Sequence, residues 1–381
     1  MNSPPERIRL AFLIRSLDVG GAERQLCTLV TNLDKDQFDV SVLVMYSGGA
    51  LLRDLEGVPG VRVISLAKRG RWDLIGFGAR LFAEMRRLRP QIVHGYMGGA
   101  NELAWVFGRA VGARIVWGIR VSNLSPGDYI WSVSALFRLG ALMSRSVDLI
   151  IANSQAGRSF HVEHGYAKDK LVVIPNGIDT DRFRSDPDAG RGWRVHHHLT
   201  EPNLVIGLPA RLDPMKDHAT FLRAVQTFVA FGIDAHFVCA GNGTDEYQSQ
   251  LQSLARELGV VDCVTWIPAL ADPVPFYNGV DLVTISSKGG EGFPNVVGEA
   301  MACGVPCVAT DVGDAALVIG DTGHLIEAGD HDGLAACWRD LCLLSATARR
   351  ELGRRARARI VERFTPSLLA RRTSEALTRL L

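Results

Sequence analysis

The 381-residue chain contains no apolar run approaching the roughly 20 residues that a bilayer-crossing helix needs. Its opening, MNSPPERIRLAFLIR, lacks the apolar stretch of a secretory signal, and IRLAFLI reads as a first strand. The 7 cysteines (27, 239, 263, 303, 307, 337 and 342) form no CxxC pair and no secreted-type framework, so a reducing cytosol is the expected compartment. Cys303 and Cys307 lie four apart, yet a helix end followed by a strand suits buried small residues better than a metal site. No G-x-G-x-x-G is present, which removes the dinucleotide fingerprint of a dehydrogenase. Nor is there a continuous basic stripe, which argues against a nucleic-acid partner.

What is present describes a globular, enzyme-like protein: 47% hydrophobic and 22% charged residues, over a length that accommodates two domains. The net charge of +1 conceals an asymmetry. Residues 1–190 hold 24 Lys and Arg against 19 Asp and Glu, a net of +5, and residues 191–381 hold 18 against 22, a net of −4. A basic half suits an anionic membrane or a phosphate-bearing acceptor, although solvated helix faces account for the same charge.

Strand-like runs recur at RLAFLI, DVSVLVMY, VRVISL, QIVHGY, RIVWGI, DLIIAN and KLVVIPN, separated in several places by amphipathic stretches. A second series follows with LVIGLPA, AHFVCAG, CVTWIP, DLVTIS and PCVAT. Apolar runs alternating with helical patterns predict parallel α/β sheets, hence two Rossmann-like halves. The polar segment between them, GIDTDRFRSDPDAGRGWRVHHHLTEPN, reads as a linker. The expected organisation is a first domain over 1–190, a second over 191–364, and a final helix over 365–381 with Leu369, Ala376 and Leu380 on one apolar face.

Three segments carry candidate chemistry. In RSLDVGGAERQL, Gly20 and Gly21 precede a helix, where paired glycines let a backbone approach a phosphate; an ordinary tight turn is the competing reading. In LPARLDPMKDH, Arg211 and Lys216 follow a buried strand and could grip a diphosphate, the first as a fork and the second as a point charge. In SSKGGEGFPNVVGEAMACGVPCVATD, a glycine-rich turn joins a strand to a helix, with Glu291 before the helix and Glu299 within it. Pro294 fits a first helical turn, and the amides of Gly292, Phe293, Pro294's neighbours Asn295 and Val296 would face an anion. Glu299 then falls near a ribose attached to that phosphate, and Glu291 near a transferred sugar.

EGFPNVVGE resembles the E-x7-E signature of retaining GT-B glycosyltransferases, family 4. VGGAE, VIPNGID, ARLDPMKD, AGNG, the long glutamate segment and GDTGHLI follow that family's order and spacing, so the resemblance spans essentially the whole chain. It implies a GT-B fold, two Rossmann-like domains facing each other across a cleft, with the last helix crossing back to the first domain. The implied donor is a nucleotide sugar held by the second domain, a UDP-sugar favoured over a GDP-sugar. The implied acceptor, a saccharide or lipid-linked one, is held by the first domain, with peripheral membrane contact expected there and work at the inner face of the cytoplasmic membrane. The resemblance also implies transfer with retained anomeric configuration and no need of a metal or other cofactor. Polysaccharide or glycoconjugate synthesis is the implied setting. On this resemblance Arg211, Lys216 and Glu291 would take the catalytic roles, the two cations on the donor diphosphate and Glu291 on the donor sugar, and Glu299 would bind the ribose. Many relatives carry a histidine in the loop that here reads WGIRVSN, so Arg120, Ser122 and Asn123, with His94 on the neighbouring strand, are the acceptor-side candidates.

The DTD of Asp179–Asp181 has the shape of a metal-binding motif but sits in the family's inter-domain turn, and His196–His198 reads as a solvated loop. The run SVSALFRLGALMSRS carries a broad apolar stripe that suits core packing or a lipid surface. Two rival functions share the donor site: a GT-B nucleotide-sugar epimerase or hydrolase, and a non-catalytic sugar-nucleotide-binding module.

Overall fold

The computed structural model describes residues 6–120, 131–199 and 204–381, with side chains from residue 137 onward in the second span. The chain divides into two compact units, Met1–Gly177 with Pro366–Leu381, and Ile178–Thr365.

The first unit is built on seven parallel strands: β1 (Ile8–Ile14), β2 (Phe38–Val44), β3 (Val61–Ser65), β4 (Ile92–Tyr96), β5 (Arg114–Ile119), β6 (Leu149–Ala152) and β7 (Leu171–Val173). They are ordered β3-β2-β1-β4-β5-β6-β7. Alternate residues of β1 enter different cores, Leu10, Phe12 and Ile14 on one face and Ala11 and Leu13 on the other. The two-residue side-chain period of a strand covered on both faces produces this split. The final helix, Pro366–Thr378, packs on the helix Gly21–Asn32 and adds Leu369, Ala370 and Leu377 to the same core, with Ala376 and Leu380 beside it. Of the apolar run 132–146, the described part is mixed. Ala141 is buried, Phe137 packs within 5.8 Å of four rings, and Leu139 and Leu142 face solvent.

The second unit has six parallel strands: β8 (Leu204–Pro209), β9 (Ala235–Ala240), β10 (Val264–Ile267), β11 (Leu282–Ile285), β12 (Cys307–Thr310) and β13 (His324–Ile326), ordered β10-β9-β8-β11-β12-β13. Trp338 is fully buried and donates its indole N–H to Thr284 Oγ1 at 2.8 Å. β13 went unread in the sequence because only two of its three residues, Leu325 and Ile326, are apolar, whereas the equally short β7 runs on into Ile174 as a longer apolar stretch.

The segment expected as a linker is folded into the second unit. Asp186 caps a helix over Pro187–His196, accepting the Ala189 amide at 3.0 Å, and Pro187 starts it where a missing N–H costs little. Ile178, Phe183, Trp193 and Leu199 all enter the second core, with Trp193 edge-on to Phe276 at 5.4 Å. The domain boundary therefore falls at Gly177/Ile178 and not at 190/191. Four large apolar residues spread through a polar stretch carry the packing, which average composition conceals. The histidine run is partly the solvated turn expected: His196 ends this helix, His196 and His198 are exposed, and only the His197 ring packs, 4.7 Å from Trp193.

Candidate active site

Strand order reverses between β8 and β11, the position at which a doubly wound sheet opens a crevice beyond the strands' carboxyl ends. The chain leaving β8 turns at once. Asp213 Oδ1 accepts the Met215 amide at 2.9 Å, starting a short turn over Pro214–Lys216. Asp217 follows in the left-handed region (φ 50°), 1% exposed. It caps the helix His218–Val229 by accepting from the Thr220 amide and hydroxyl, at 3.2 and 2.6 Å. Lys288, beyond β11, completes this buried carboxylate at 3.1 Å. Ser286 Oγ donates to the Lys216 carbonyl and the Lys288 amide to the Met215 carbonyl, each at 2.8 Å. The two loops are thus sewn together before any ligand is considered.

That stitching delivers Lys216 to Glu291. The ammonium pairs with Glu291 Oε1, and Ser287 Oγ donates to the same oxygen at 2.7 Å. Thr310 Oγ1 holds the Ser287 carbonyl at 2.7 Å, and the Asp314 amide holds the Gly292 carbonyl at 3.0 Å. Gly313 crosses so close (φ 65°) that a Cβ there would lie 2.3 Å from the Glu291 carbonyl, so only glycine fits. Lys216, Ser287, Glu291 and the chain from Phe293 to Val296 line a cavity of about 170 Å³. Pro294 is the residue before the helix Asn295–Ala302 (φ −78°, ψ 87°), one place earlier than the sequence reading put it. The helix Asn295–Ala302 begins at this wall, and its dipole adds partial positive charge there. A cation, a helix start and an oriented carboxylate therefore converge on one space.

Other candidates stand apart from it. The Arg211 side chain is 77% exposed, 3.4 Å from Asp213, and does not line the cavity. Glu299, on the second turn of the helix, accepts a hydrogen bond from the buried Tyr277 hydroxyl at 2.8 Å. Cys303 and Cys307 are both buried, and burial pushes the Cys303 thiol up to about 12, so neither is a thiolate. Asp179 of the DTD uses Oδ1 to accept the amides of Asp181 and Arg182 at 3.1 and 3.0 Å, an ordinary turn cap. Among the described residues, no cluster of three or more His, Cys, Asp or Glu could hold a metal ion. Sequence reasoning missed Ser287 and Tyr277; the first sits beside a named motif, whereas PVPFYNG reads only as apolar helix.

In the first unit Gly20 precedes the helix Gly21–Asn32, and a Cβ there would lie 2.1 Å from Glu23 Oε2. His94 does not face an acceptor. It is 0% exposed, wedged 5.2 Å from Phe12 and 5.3 Å from Tyr96, and neither ring nitrogen has a hydrogen-bond partner. Burial, then the Arg120 guanidinium, lower its pKa to about 3, so it is a neutral core ring. Its place at a strand's end suggested a site, but its side chain turns into the packing. Arg120 donates to the Tyr96 hydroxyl and to Asn176 Oδ1, with its guanidinium 4.3 Å from the Tyr96 ring centre. Ser122 and Asn123 lie outside the described residues.

Two family profiles match the chain, "Glycosyltransferase Family 4" over residues 19–182 and "Glycosyl transferases group 1" over residues 203–343. The D-inositol 3-phosphate glycosyltransferase of Geodermatophilus obscurus is 31% identical, over 80% of this chain and 71% of that one. The chain belongs to glycosyltransferase family 4. Another member, the GDP-mannose-dependent alpha-(1-6)-phosphatidylinositol monomannoside mannosyltransferase of Mycobacterium tuberculosis, is 30% identical over 70% of this chain and 71% of that one. A similar fold is seen in the HepE protein of Anabaena, solved with UDP-glucose. Its TM-score is 0.84 at 22% identity, covering 98% of this chain and 100% of that one. Both units of this family-4 glycosyltransferase are the Rossmann-like α/β domains of the GT-B fold. It is a hexosyltransferase of glycoconjugate or polysaccharide synthesis.

Proposed function

We propose that the β8/β11 crevice binds the diphosphate of a nucleotide sugar and that the enzyme transfers the sugar with retention of configuration. The observation that carries this is the Lys216–Glu291–Ser287 cluster at the start of the helix Asn295–Ala302. As the glycosidic C–O bond breaks, its electron pair passes to the diphosphate; the acceptor hydroxyl oxygen bonds to the anomeric carbon from the same face, and its proton goes to the departing phosphate oxygen. Lys216 and the positive end of the helix dipole neutralise that growing charge, and Arg211, exposed beside Asp213, adds a second cation. Glu291, aimed by Lys216 and Ser287, accepts hydrogen bonds from the sugar's hydroxyls, while Glu299 accepts from the ribose. HepE was solved with UDP-glucose and the mycobacterial relative is named as GDP-mannose-dependent, which supports a nucleotide-sugar donor with UDP or GDP as its carrier. Screening nucleotide sugars by thermal shift identifies the donor, since a bound donor raises stability by mass action. Incubation with that donor alone separates transfer from the rival readings. Rapid turnover without acceptor marks an epimerase or hydrolase, and no turnover with any saccharide or lipid-linked acceptor marks a binding module.

The acceptor side belongs to the first unit in this reading, with the acceptor's lipid or saccharide reached at a membrane surface. No helix among the described residues is long and apolar enough to cross a membrane. Residues 67–89 instead hold seven Lys and Arg against two Asp and Glu. Trp72, Leu74 and Ile75 are 81%, 63% and 90% exposed there, and the Arg71 guanidinium lies 4.8 Å from the Trp72 ring centre. Exposed aromatic and aliphatic groups among arginines suit peripheral contact with anionic lipid. Sedimentation with phosphatidylglycerol vesicles, lost in Trp72→Ala/Ile75→Ala, is the expected outcome; equal sedimentation of both proteins removes this surface.

A further inference from the structure

Tyr277, which meets Glu299, has a chemistry that the reading above leaves unused. It belongs to the short helix Val274–Gly279 and is 1% exposed, its ring 5.7 Å from Phe276 and 6.1 Å from Phe183. A buried phenol needs a partner for its hydroxyl, and here the partner is a carboxylate, Glu299 Oε2 at 2.8 Å. Burial and the neighbouring Glu299 charge both push the phenol well above its ordinary pKa, so it remains a neutral donor across the working pH range.

The surroundings hold this donor unusually firmly. Helix Val274–Gly279 lies against helix Pro187–His196 at a separation only glycine permits. A Cβ on Gly190 would fall 2.1 Å from the Asn278 carbonyl oxygen, and one on Gly279 would fall 2.3 Å from Trp193 Cε3. Asn278, the next residue, accepts the Asp186 amide at 2.6 Å and donates to the Arg184 and Val274 carbonyls at 3.1 and 3.0 Å. The Arg194 guanidinium holds the Gly279 carbonyl at 2.6 Å and Asp281 at 2.5 Å. None of these groups reaches the cavity at Lys216, yet together they fix where the Tyr277 oxygen stands. A carboxylate that must meet two adjacent hydroxyls gains from being fixed beforehand, because its rotamer freedom is then lost on folding and not on binding.

We propose that Tyr277 is a positioning residue that sets the Glu299 carboxylate for the ribose hydroxyls, and thereby makes the donor site prefer ribonucleotides over their deoxy forms. This rests on the reading of Glu299 as the ribose group, and the test separates the two. Affinities of UDP and GDP, and of their 2′,3′-dideoxy forms, are measured by calorimetry for wild type, Tyr277→Phe, Glu299→Gln and the double variant. The phenylalanine keeps the ring and removes only the hydroxyl.

Wild type should prefer the ribose form, and Tyr277→Phe should narrow that preference about ten-fold while leaving dideoxy affinity unchanged, the scale of one hydrogen bond to a charged group. Donor KM should rise by the same factor with kcat nearly constant. The phenylalanine should add nothing further in the Glu299→Gln background, because the two groups act as one unit. A Tyr277→Phe protein that keeps the full ribose preference overturns the inference, and so does one that loses both affinities alike. A wild type indifferent to the ribose hydroxyls overturns the Glu299 reading itself, and the inference with it.

Discussion

The ends of the two sheets have the same strand logic and opposite chemistry. At β8/β11 of the second unit, charges are kept and paired: Lys216 with Glu291, Lys288 with Asp217. At β4 and β5 of the first unit, polar groups are enclosed and neutral or capped: His94 stripped of hydrogen bonds, Arg120 bound to Tyr96 and Asn176. A parallel sheet therefore offers a crevice at its switch point without deciding what occupies it. Charge-paired loops can hand their charges to an anion, whereas an enclosed imidazole has been committed to the core. The difference shows why a histidine at a strand's carboxyl end, taken from sequence position alone, was a poor guide to function.

Four measurements test this contrast. The largest effect is expected from Lys216→Ala, which should weaken nucleoside diphosphate binding by about 1.5–3 kcal/mol, the scale of a lost charge-assisted contact, and slow transfer with it. Arg211→Ala should do the same more mildly, given its exposure. Unchanged calorimetric affinity in both variants removes them from the donor site. Next, Glu291→Gln should mostly lower kcat, since charge develops beside it, while Glu299→Gln should mostly raise donor KM. If Glu299→Gln binds the diphosphate like wild type and loses only kcat, the two roles are wrongly assigned.

A third test addresses the first unit's enclosed groups. His94 falls to about 3 and His161 to about 4 in the folded protein, and in the second unit His218 falls to about 4, each chiefly by burial. Below the unfolded value of about 6.5 the unfolded chain binds protons that the folded one refuses. The stability contributed by each neutral ring is therefore complete above that pH and lost as pH falls toward the folded value. The slope is about 1.4 kcal/mol per pH unit for each ring. His94→Leu should remove one proton from that slope between pH 6 and 4, read by denaturant unfolding; an unaltered slope means His94 protonates in the folded state. The smallest effect is the last. Activity should survive excess EDTA and gain nothing from added Mg²⁺ or Mn²⁺, and a metal-restored loss would return the DTD to consideration.

Much of the architecture was legible because both sheets are parallel and covered on both faces, which makes strands read as near-continuous apolar runs. The glutamate loop was legible for a related reason: glycines, a proline and two carboxylates at a strand-to-helix junction have few structural uses. Its partner Lys216 was legible from its place after β8. Trp193 was hidden because a helix that packs through a few residues can be polar everywhere else. Tyr277 was hidden because an aromatic on an apolar helix looks like core until its hydroxyl is seen to meet a carboxylate.

By itself, then, the amino-acid order determined two Rossmann-like units, the strand ends that open a crevice in the second, and the cation and carboxylates available there. These follow from local periodicity and from short-range spacing, which neighbours in sequence encode. Only the tertiary structure decided that Lys216 meets Glu291, 75 residues apart, and that Tyr277 stands behind Glu299. It also decided that Gly190 and Gly279 let two helices close on each other and that His94 turns inward. Each of these depends on which residues distant in the chain are brought within a few ångströms, and that is settled by how whole faces pack.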